Sequence, residues 1–198
     1  ILSSGIRPDF EWWLKALGLE TLWPGQQVRQ AGLGAESTSQ MWRTYCLRYC
    51  ADFAKLTVYG DKNWSKLLPQ EVELKNEVDY YGPLADIYKS AAFNVNLTSM
   101  LLPRGLTQRH FDVFSVKGFL LTDFTRGLDI FPRELTRPVS FEHPKQLFDI
   151  VNNLEKDPGL KSDLCRAWHD LIRDKHTYLQ RAEYILNLVQ GLQNQGKT

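Results

Sequence analysis

Apolar and polar positions alternate in two distinct rhythms along this chain, one helical and one extended. Trp42, Tyr45, Cys46, Tyr49 and Phe53 form a stripe at helical spacing, and Ser37, Thr38 and Ser39 ahead of it are cap-forming residues, so a helix is predicted from Ser37 to Lys55. A short β-rich run follows at Leu56–Gly60, ending in a Gly-Asp turn, and a second strand is expected within Glu71–Tyr81. Leu84–Ala92 reads as a helix, Phe93–Thr98 as a strand, and Thr107–Lys117 as a helix closed by Gly118. Phe119–Thr122 is a continuous apolar run of the kind buried on both faces of a parallel sheet, and Pro138–Phe141 is the last strand. Helices are then expected at Pro144–Glu155 (Leu147, Ile150, Val151, Leu154), after the Asp157-Pro158 cap, and from Thr177 to about Leu192. The apolar positions of this last helix, Tyr178, Ala182, Ile185, Val189 and Leu192, are spaced 4-3-4-3, and Gln193–Thr198 is expected to fray.

Strands alternating with helices at this spacing predict an α/β fold: a Rossmann-like parallel sheet with helices on both faces. In such sheets ligands bind outside the carboxyl ends of the strands. The loops after Tyr59, Tyr80, Leu97 and Leu121 are therefore the ones to watch. Residues 1–36 are of another character. Asp9 is placed to cap a short helix with Trp12, Trp13, Leu14 and Leu17, ended by Gly18, and Trp23–Gly34 turns glutamine- and glycine-rich, which reads as a connector. Residues 1–36 are thus taken as a helical and connector segment and 37–198 as the main domain; the tryptophans of the first are expected to cover a surface here or on a neighbour.

Composition narrows the function classes. A formal net charge of +1 provides no field to recruit nucleic acid. No apolar run approaches the ~20 residues of a membrane span, and Ile1–Phe10 lacks a signal-peptide pattern. No Met opens the chain, which is read as a piece of something longer. Cys46, Cys50 and Cys165 include no CxxC pair and no His cluster, so buried thiols in a cytoplasmic setting are expected, with no metal.

The candidate chemistry lies on the helix before the buried strand. Plotted at about 100° per residue, Gln108, Asp112 and Ser115 fall in one narrow polar stripe with Arg109 at its edge. Phe111 and Phe114 flank it on one side, Val113 and Val116 on the other. A half-buried carboxylate needs partners, and a pair of ligand hydroxyls suits it; a solvated Arg109–Asp112 pair is the plainer alternative. The helix start faces the strand-end crevice, where phosphate is favoured. His110 points off the stripe and is read as structural or exposed, and His143, His169 and His176 assemble no metal set.

Tyr81–Ser99 and Gly105–Phe124, continued through Gly127-Leu128, Pro138–Phe141, the helix around Leu147 and His176–Leu186, resemble the C-terminal domain of glycosyltransferases related to the spore proteins CgeB and YkvP, relatives of the group 1 enzymes of the two-domain GT-B fold. The resemblance covers roughly the last two-thirds of the chain. It implies a domain that binds a nucleotide diphosphate sugar as substrate, without a cofactor. Asp112, where relatives commonly carry Glu, would bond the ribose; Arg109 would lie near the diphosphate, and Gln108 of the same polar stripe is a further donor-binding candidate. Gly60, Asp61 and Lys62 would approach the phosphates, and Tyr80–Pro83, with Tyr81 and Gly82, would border the base. Asn96, Thr98 and Thr107 are weaker candidates. Where many relatives carry a second Glu, eight residues earlier, this chain has Arg104, which suits diphosphate instead and leaves the retaining chemistry of the acidic pair without support. The acceptor site and catalytic base would belong to an N-terminal domain missing here, so these residues alone are expected to bind nucleotide weakly and transfer nothing. Two alternatives stand beside this reading: a degenerate, non-catalytic domain that binds nucleotide, carbohydrate or a partner, and half of a nucleotide-sugar epimerase.

Overall fold

The computed structural model describes residues 7–195, with side chains through Gly191. The reading that Ile1–Phe10 carries no signal-peptide pattern falls largely on residues outside the described ones. Of the expected fraying at Gln193–Thr198, residues 196–198 lie outside them, while the last helix runs through Gln195. The chain forms α1 (Phe10–Ala16), α2 (Pro24–Ala51), β1 (Thr57–Tyr59), β2 (Glu73–Lys75), α3 (Leu84–Ser90), β3 (Asn94–Asn96), α4 (Arg109–Ser115), β4 (Leu120–Asp123), α5 (Arg133–Thr136), β5 (Ser140–Phe141), α6 (Lys145–Lys156), α7 (Pro158–Lys175) and α8 (Tyr178–Gln195). All strand pairs among the described residues are parallel. β1 pairs with β2 (Val58 opposite Leu74), and β3, β4 and β5 form a second sheet in that order, with Val95 opposite Leu121 and Asp123 opposite Phe141. The α/β, parallel, helix-flanked architecture is as the pattern implied, with its strands divided into two hydrogen-bonded sets.

β4 explains why the sheet carries helices on both faces. All of its side chains are buried, and successive strand side chains point to opposite faces. Thr122 bonds His110 of α4, while its neighbour Asp123 is met by Trp42 of α2. One face is therefore closed by α4, on which α7 packs through the stacked rings of Phe114 and Trp168, 4.6 Å apart. The other is closed by α2, whose Trp42 stacks on Phe141 and whose end meets α6 through Phe53 and Phe148. Full burial of such aromatic side chains stabilises by about 1.5–3 kcal/mol each.

The expected connector at 24–34 is instead the first half of α2, which runs unbroken through residue 36 to Ala51. Pro24 stands in its first turn, where a missing N–H costs nothing. The small residues read as flexibility are a packing seat: Ala31 and Ala35 are buried, and a Cβ at Gly34 would come within 3.0 Å of the Trp13 ring. Trp13 is itself buried there, so α1 lies closely across α2. Ser37, Thr38 and Ser39 are thus mid-helix, and Ser39 donates back to the Ala35 carbonyl at 2.7 Å. α1 keeps its predicted Asp9 cap, which accepts from the Trp12 amide at 3.0 Å, and Asp157 caps α7 as expected.

The turn after α4 differs in one detail. Lys117, not Gly118, takes the left-handed conformation, at φ 63°. Gly118 is needed for a different reason, since a Cβ there would meet the Tyr88 carbonyl oxygen at 2.6 Å. That contact lets the turn between α4 and β4 press against α3.

Candidate functional site

The carboxyl ends of β3 and β4 hold a buried polar network built by the loop that leads into α4. The Thr107 amide donates to His110 Nδ1 at 3.0 Å, which makes that nitrogen an acceptor and leaves the proton on Nε2. Nε2 then donates to Thr122 Oγ1, also at 3.0 Å. Asn96 closes the circuit: its amide nitrogen donates to Thr122 Oγ1 at 3.2 Å, and its oxygen accepts from Thr107 Oγ1 at 3.3 Å and from the Arg109 guanidinium at 3.0 Å. Burial pushes the His110 pKa below its ordinary value, in keeping with a neutral ring. His110 is thus structural: it fixes the start of α4, and with it Arg109, against the strand ends.

Beyond Arg109, one turn along α4, Asp112 is half-buried and accepts from the Tyr80 hydroxyl at 2.8 Å. This bond, more than burial, pushes the Tyr80 pKa up to about 12. Tyr81 packs edge-on against Tyr80, ring centroids 5.0 Å apart, and is 92% exposed. The polar seam is flanked by packed apolar residues as the wheel implied, with Val113 and Phe114 buried and Phe111 and Val116 partly so.

On the other face of β4, Asp123 is fully buried. It pairs with Arg7 and accepts from Trp42 Nε1 at 2.8 Å and from the Thr98 amide at 2.9 Å. Arg7 also donates to the Thr98 carbonyl at 3.1 Å and lies over the Trp42 ring, 5.8 Å from its centroid. The Thr98 hydroxyl, fully buried, has no partner among the described residues. Next to Trp42, Arg43 Nε reaches the Leu97 carbonyl at 3.4 Å. Burial lowers the Arg43 pKa first, the nearby Arg109 lowers it further, and Asp123 opposes both. Two guanidinium groups therefore converge on consecutive residues at the carboxyl end of β3, Arg109 on Asn96 and Arg43 on Leu97 just beyond it.

Beside Arg43 opens a cleft of about 490 Å³. One wall is a face of α2 (Leu33, Glu36, Ser37, Gln40, Arg43), and the other is the turn after β1 (Asp61, Asn63, Trp64, Leu67). Its floor is rigid: Ser39 Oγ accepts from the Met100 amide at 2.8 Å and lies 3.4 Å from Ser99 Oγ.

The expected residues thus fall into separate groups. Thr107, Arg109 and Asp112 lie along one edge of α4, next to the Tyr80-Tyr81 turn, with Gln108 exposed at the helix start. Gly82 lies in that turn, its amide donating to the Asp79 carbonyl at 3.2 Å. The Gly60 amide is used by the sheet, donating to the Lys75 carbonyl at 3.1 Å. Asp61 caps a 3-10 turn at Lys62–Lys66 and borders the cleft, while Lys62 is exposed. Arg104 lies at the surface 3.8 Å from Asp9, outside both groups. Arg43 and Asp123 were not among the expected site residues, and Tyr80, expected only as part of a loop bordering the base, bonds Asp112 directly. Asp123 carried a readable signal, a carboxylate just beyond the buried apolar run Phe119-Leu120-Leu121; Arg43 carried none, because only the fold brings α2 to the end of β3. Among the described residues no group of three or more His, Cys, Asp and Glu side chains is arranged to hold a metal ion, and no helix is long and apolar enough to cross a membrane.

A protein-family model described as glycosyl transferase-like matches residues 16–187, most of the chain. No curated protein and no solved structure matches it.

Proposed function

The chain belongs to the glycosyl transferase-like family, and we propose that within glycosyl transfer it is the donor-binding domain, taking a nucleotide diphosphate sugar. The observation that carries this reading is the convergence of Arg43 and Arg109 at the carboxyl end of β3. Two like charges brought together at a strand end, beside a helix start, form a site that an anion stabilises. A diphosphate between them would leave the ribose opposite Asp112, whose carboxylate accepts from a hydroxyl pair, and the base against the exposed ring of Tyr81. The chain's part in the reaction is then to hold the diphosphate and stabilise its growing negative charge as the sugar departs, with fixed cations doing so without solvent rearrangement.

The finer elements belong to the same proposal: kinship with the CgeB- and YkvP-related enzymes, 37–198 as the donor-binding unit behind a 1–36 lead segment, a cytoplasmic setting, and an acceptor-binding partner domain supplying the base. Gly60, Asp61, Lys62, Thr107, Gln108 and Gly82 line the approaches. Arg104 supports the alternative of a degenerate, non-catalytic domain, because it replaces an acidic residue used by relatives and is turned to Asp9.

Calorimetry with UDP, GDP and ADP tests the reading. Asp112→Ala should weaken the preferred nucleotide by about 1–3 kcal/mol, the scale of a hydrogen bond to a charged group. Tyr80→Phe, which frees the same carboxylate, should leave affinity equal or higher. A folded chain that binds none of the three nucleotides would move the assignment to the non-catalytic alternative.

A further inference from the structure

Asp112 already accepts a hydroxyl, and that hydroxyl belongs to the chain itself. The Tyr80 phenol donates to Asp112 Oδ2 at 2.8 Å, although the two residues lie 32 positions apart. Tyr80 is carried by residues 76–83, the stretch between β2 and α3. Every member of that stretch is exposed except Val78, which is partly so. Its backbone bonds are local: the Tyr81 amide donates to Asp79 Oδ1, the Gly82 amide to the Asp79 carbonyl, and the Pro83 carbonyl accepts from the first turn of α3. Among the described residues, the bond from Tyr80 to Asp112 is the one hydrogen bond that joins this stretch to a part of the fold other than α3. A segment with so few ties to its surroundings opens at low cost, independently of the rest of the fold.

The side from which Tyr80 comes matters. Val113 and Phe114, on the flanks of Asp112, are buried, so a ligand reaches the carboxylate from the surface, where Tyr80 stands with its ring exposed. A diol held across both carboxylate oxygens needs Oδ2 as well as Oδ1. The phenol is a neutral O–H donor at ordinary length, the same kind of group as half of that diol. We propose that Tyr80 is a built-in competitor for Asp112: its hydroxyl keeps the place of a ligand hydroxyl, and a bound diol displaces it and lifts residues 76–83 off α4. This rests on the reading of Asp112 as the ribose-binding carboxylate and gives that site a second, self-occupied state. Only a ligand that uses Asp112 meets the competition; one without the diol binds with Tyr80 still in place. Tyr80 thus lowers apparent affinity in proportion to the closed fraction, and it narrows the site's preference for ribose over deoxy sugars.

Calorimetry of the full chain with UDP, GDP and ADP, each beside its 2′,3′-dideoxy counterpart, tests this. Tyr80→Phe keeps the ring and its edge-on contact with Tyr81 and loses only the hydroxyl. Its affinity for the preferred ribonucleotide should rise by about fivefold, the weight of one ordinary hydrogen bond, while its affinity for the dideoxynucleotide stays at the wild-type value. Introduced into an Asp112→Ala chain, Tyr80→Phe should change neither affinity. Release of the phenol should also be visible directly. In NMR of chains labelled at tyrosine Cζ, the Tyr80 signal, assigned by its loss in Tyr80→Phe, should move with the ribonucleotide and stay with the dideoxy form. Ribonucleotide binding that Asp112→Ala weakens and Tyr80→Phe leaves unchanged or reduces would overturn the competitor and keep the ribose reading. An equal gain for both kinds of nucleotide would overturn it as well, since Tyr80 would then act by bulk. No nucleotide binding by either folded wild type or Tyr80→Phe would remove the ribose reading and the competitor together, whereas binding by Tyr80→Phe alone would support both.

Discussion

Thr122 and Asp123 are neighbours on one buried strand, and the two faces they look onto are organised by opposite means. Thr122 belongs to a neutral network in which His110, Asn96 and Thr107 come from a span of 27 residues. Asp123 belongs to an ionic cluster whose cation, Arg7, comes from 116 positions away. In the first, every member is both donor and acceptor, so loss of one leaves unpaired dipoles. In the second, loss of one partner leaves an unpaired charge in a place that water does not reach. The neutral face positions α4 and its candidate ligand groups; the ionic face fastens the start of the described chain to the carboxyl end of the central strand.

The comparison can be broken most directly by truncating each strand residue. Asp123→Ala should destabilise the chain by about 3–5 kcal/mol, because it strands the largely buried Arg7 guanidinium. Thr122→Val, which keeps shape and removes only hydrogen bonds, should cost about 1–3 kcal/mol. Equal losses for the two in chemical denaturation would show that charge is not what separates the faces.

Acid sharpens the comparison further. The folded-state pKa of His110 is lowered by burial, so the unfolded chain, with His near about 6.5, takes up its proton first as pH falls. The stability that His110 contributes is complete above that value and is lost as pH drops from there toward its folded pKa. His176 is shifted in the same direction, again first by burial. Denaturation midpoints of wild type and His110→Asn should therefore converge as pH falls below about 6.5; parallel curves would remove His110 from the acid response.

The smallest effect concerns a second carboxylate, Asp112, which has a neutral partner at the surface. Spectrophotometric titration should reveal a tyrosine ionising at about 12, raised chiefly by the bond from Tyr80 to Asp112. Asp112→Asn should return it toward the ordinary value of about 10 and change global stability by less than about 1 kcal/mol. A titration curve unaltered by that substitution would mean that the bond is not formed in solution.

These two faces also mark how far the sequence could be read. β4 was legible because Phe119, Leu120 and Leu121 are consecutive buried positions with an apolar signature, and the seam on α4 because both its flanks are packed. The network around His110 was half legible: the residues lie close in sequence, but a helical wheel cannot tell a buried polar side chain from an exposed one. The Arg7–Asp123 pair was illegible, since nothing local links residues so far apart. The first half of α2 was misread because Gly25, Gly32 and Gly34 have weak helix propensity, and the packing of Trp13 against Gly34, with Ala31 and Ala35 buried beside it, overrides it. The cleft exists only where α2 crosses the turn after β1, so no single segment announces it.

α2 carries a further constraint that concerns how such a protein can change over time. Its 28 residues make a rod of about 42 Å at the usual rise of 1.5 Å per residue. Glu36, Gln40 and Arg43 face the cleft, while Trp42, Cys46 and Cys50 are seated in the core. One helix thus sets the registration between a cleft wall and a packing seam. Inserting or deleting a single residue between them would turn one set by about 100° relative to the other. Substitutions can retune the cleft freely, but lineages that alter the length of this helix should do so in steps of three or four residues, close to whole turns.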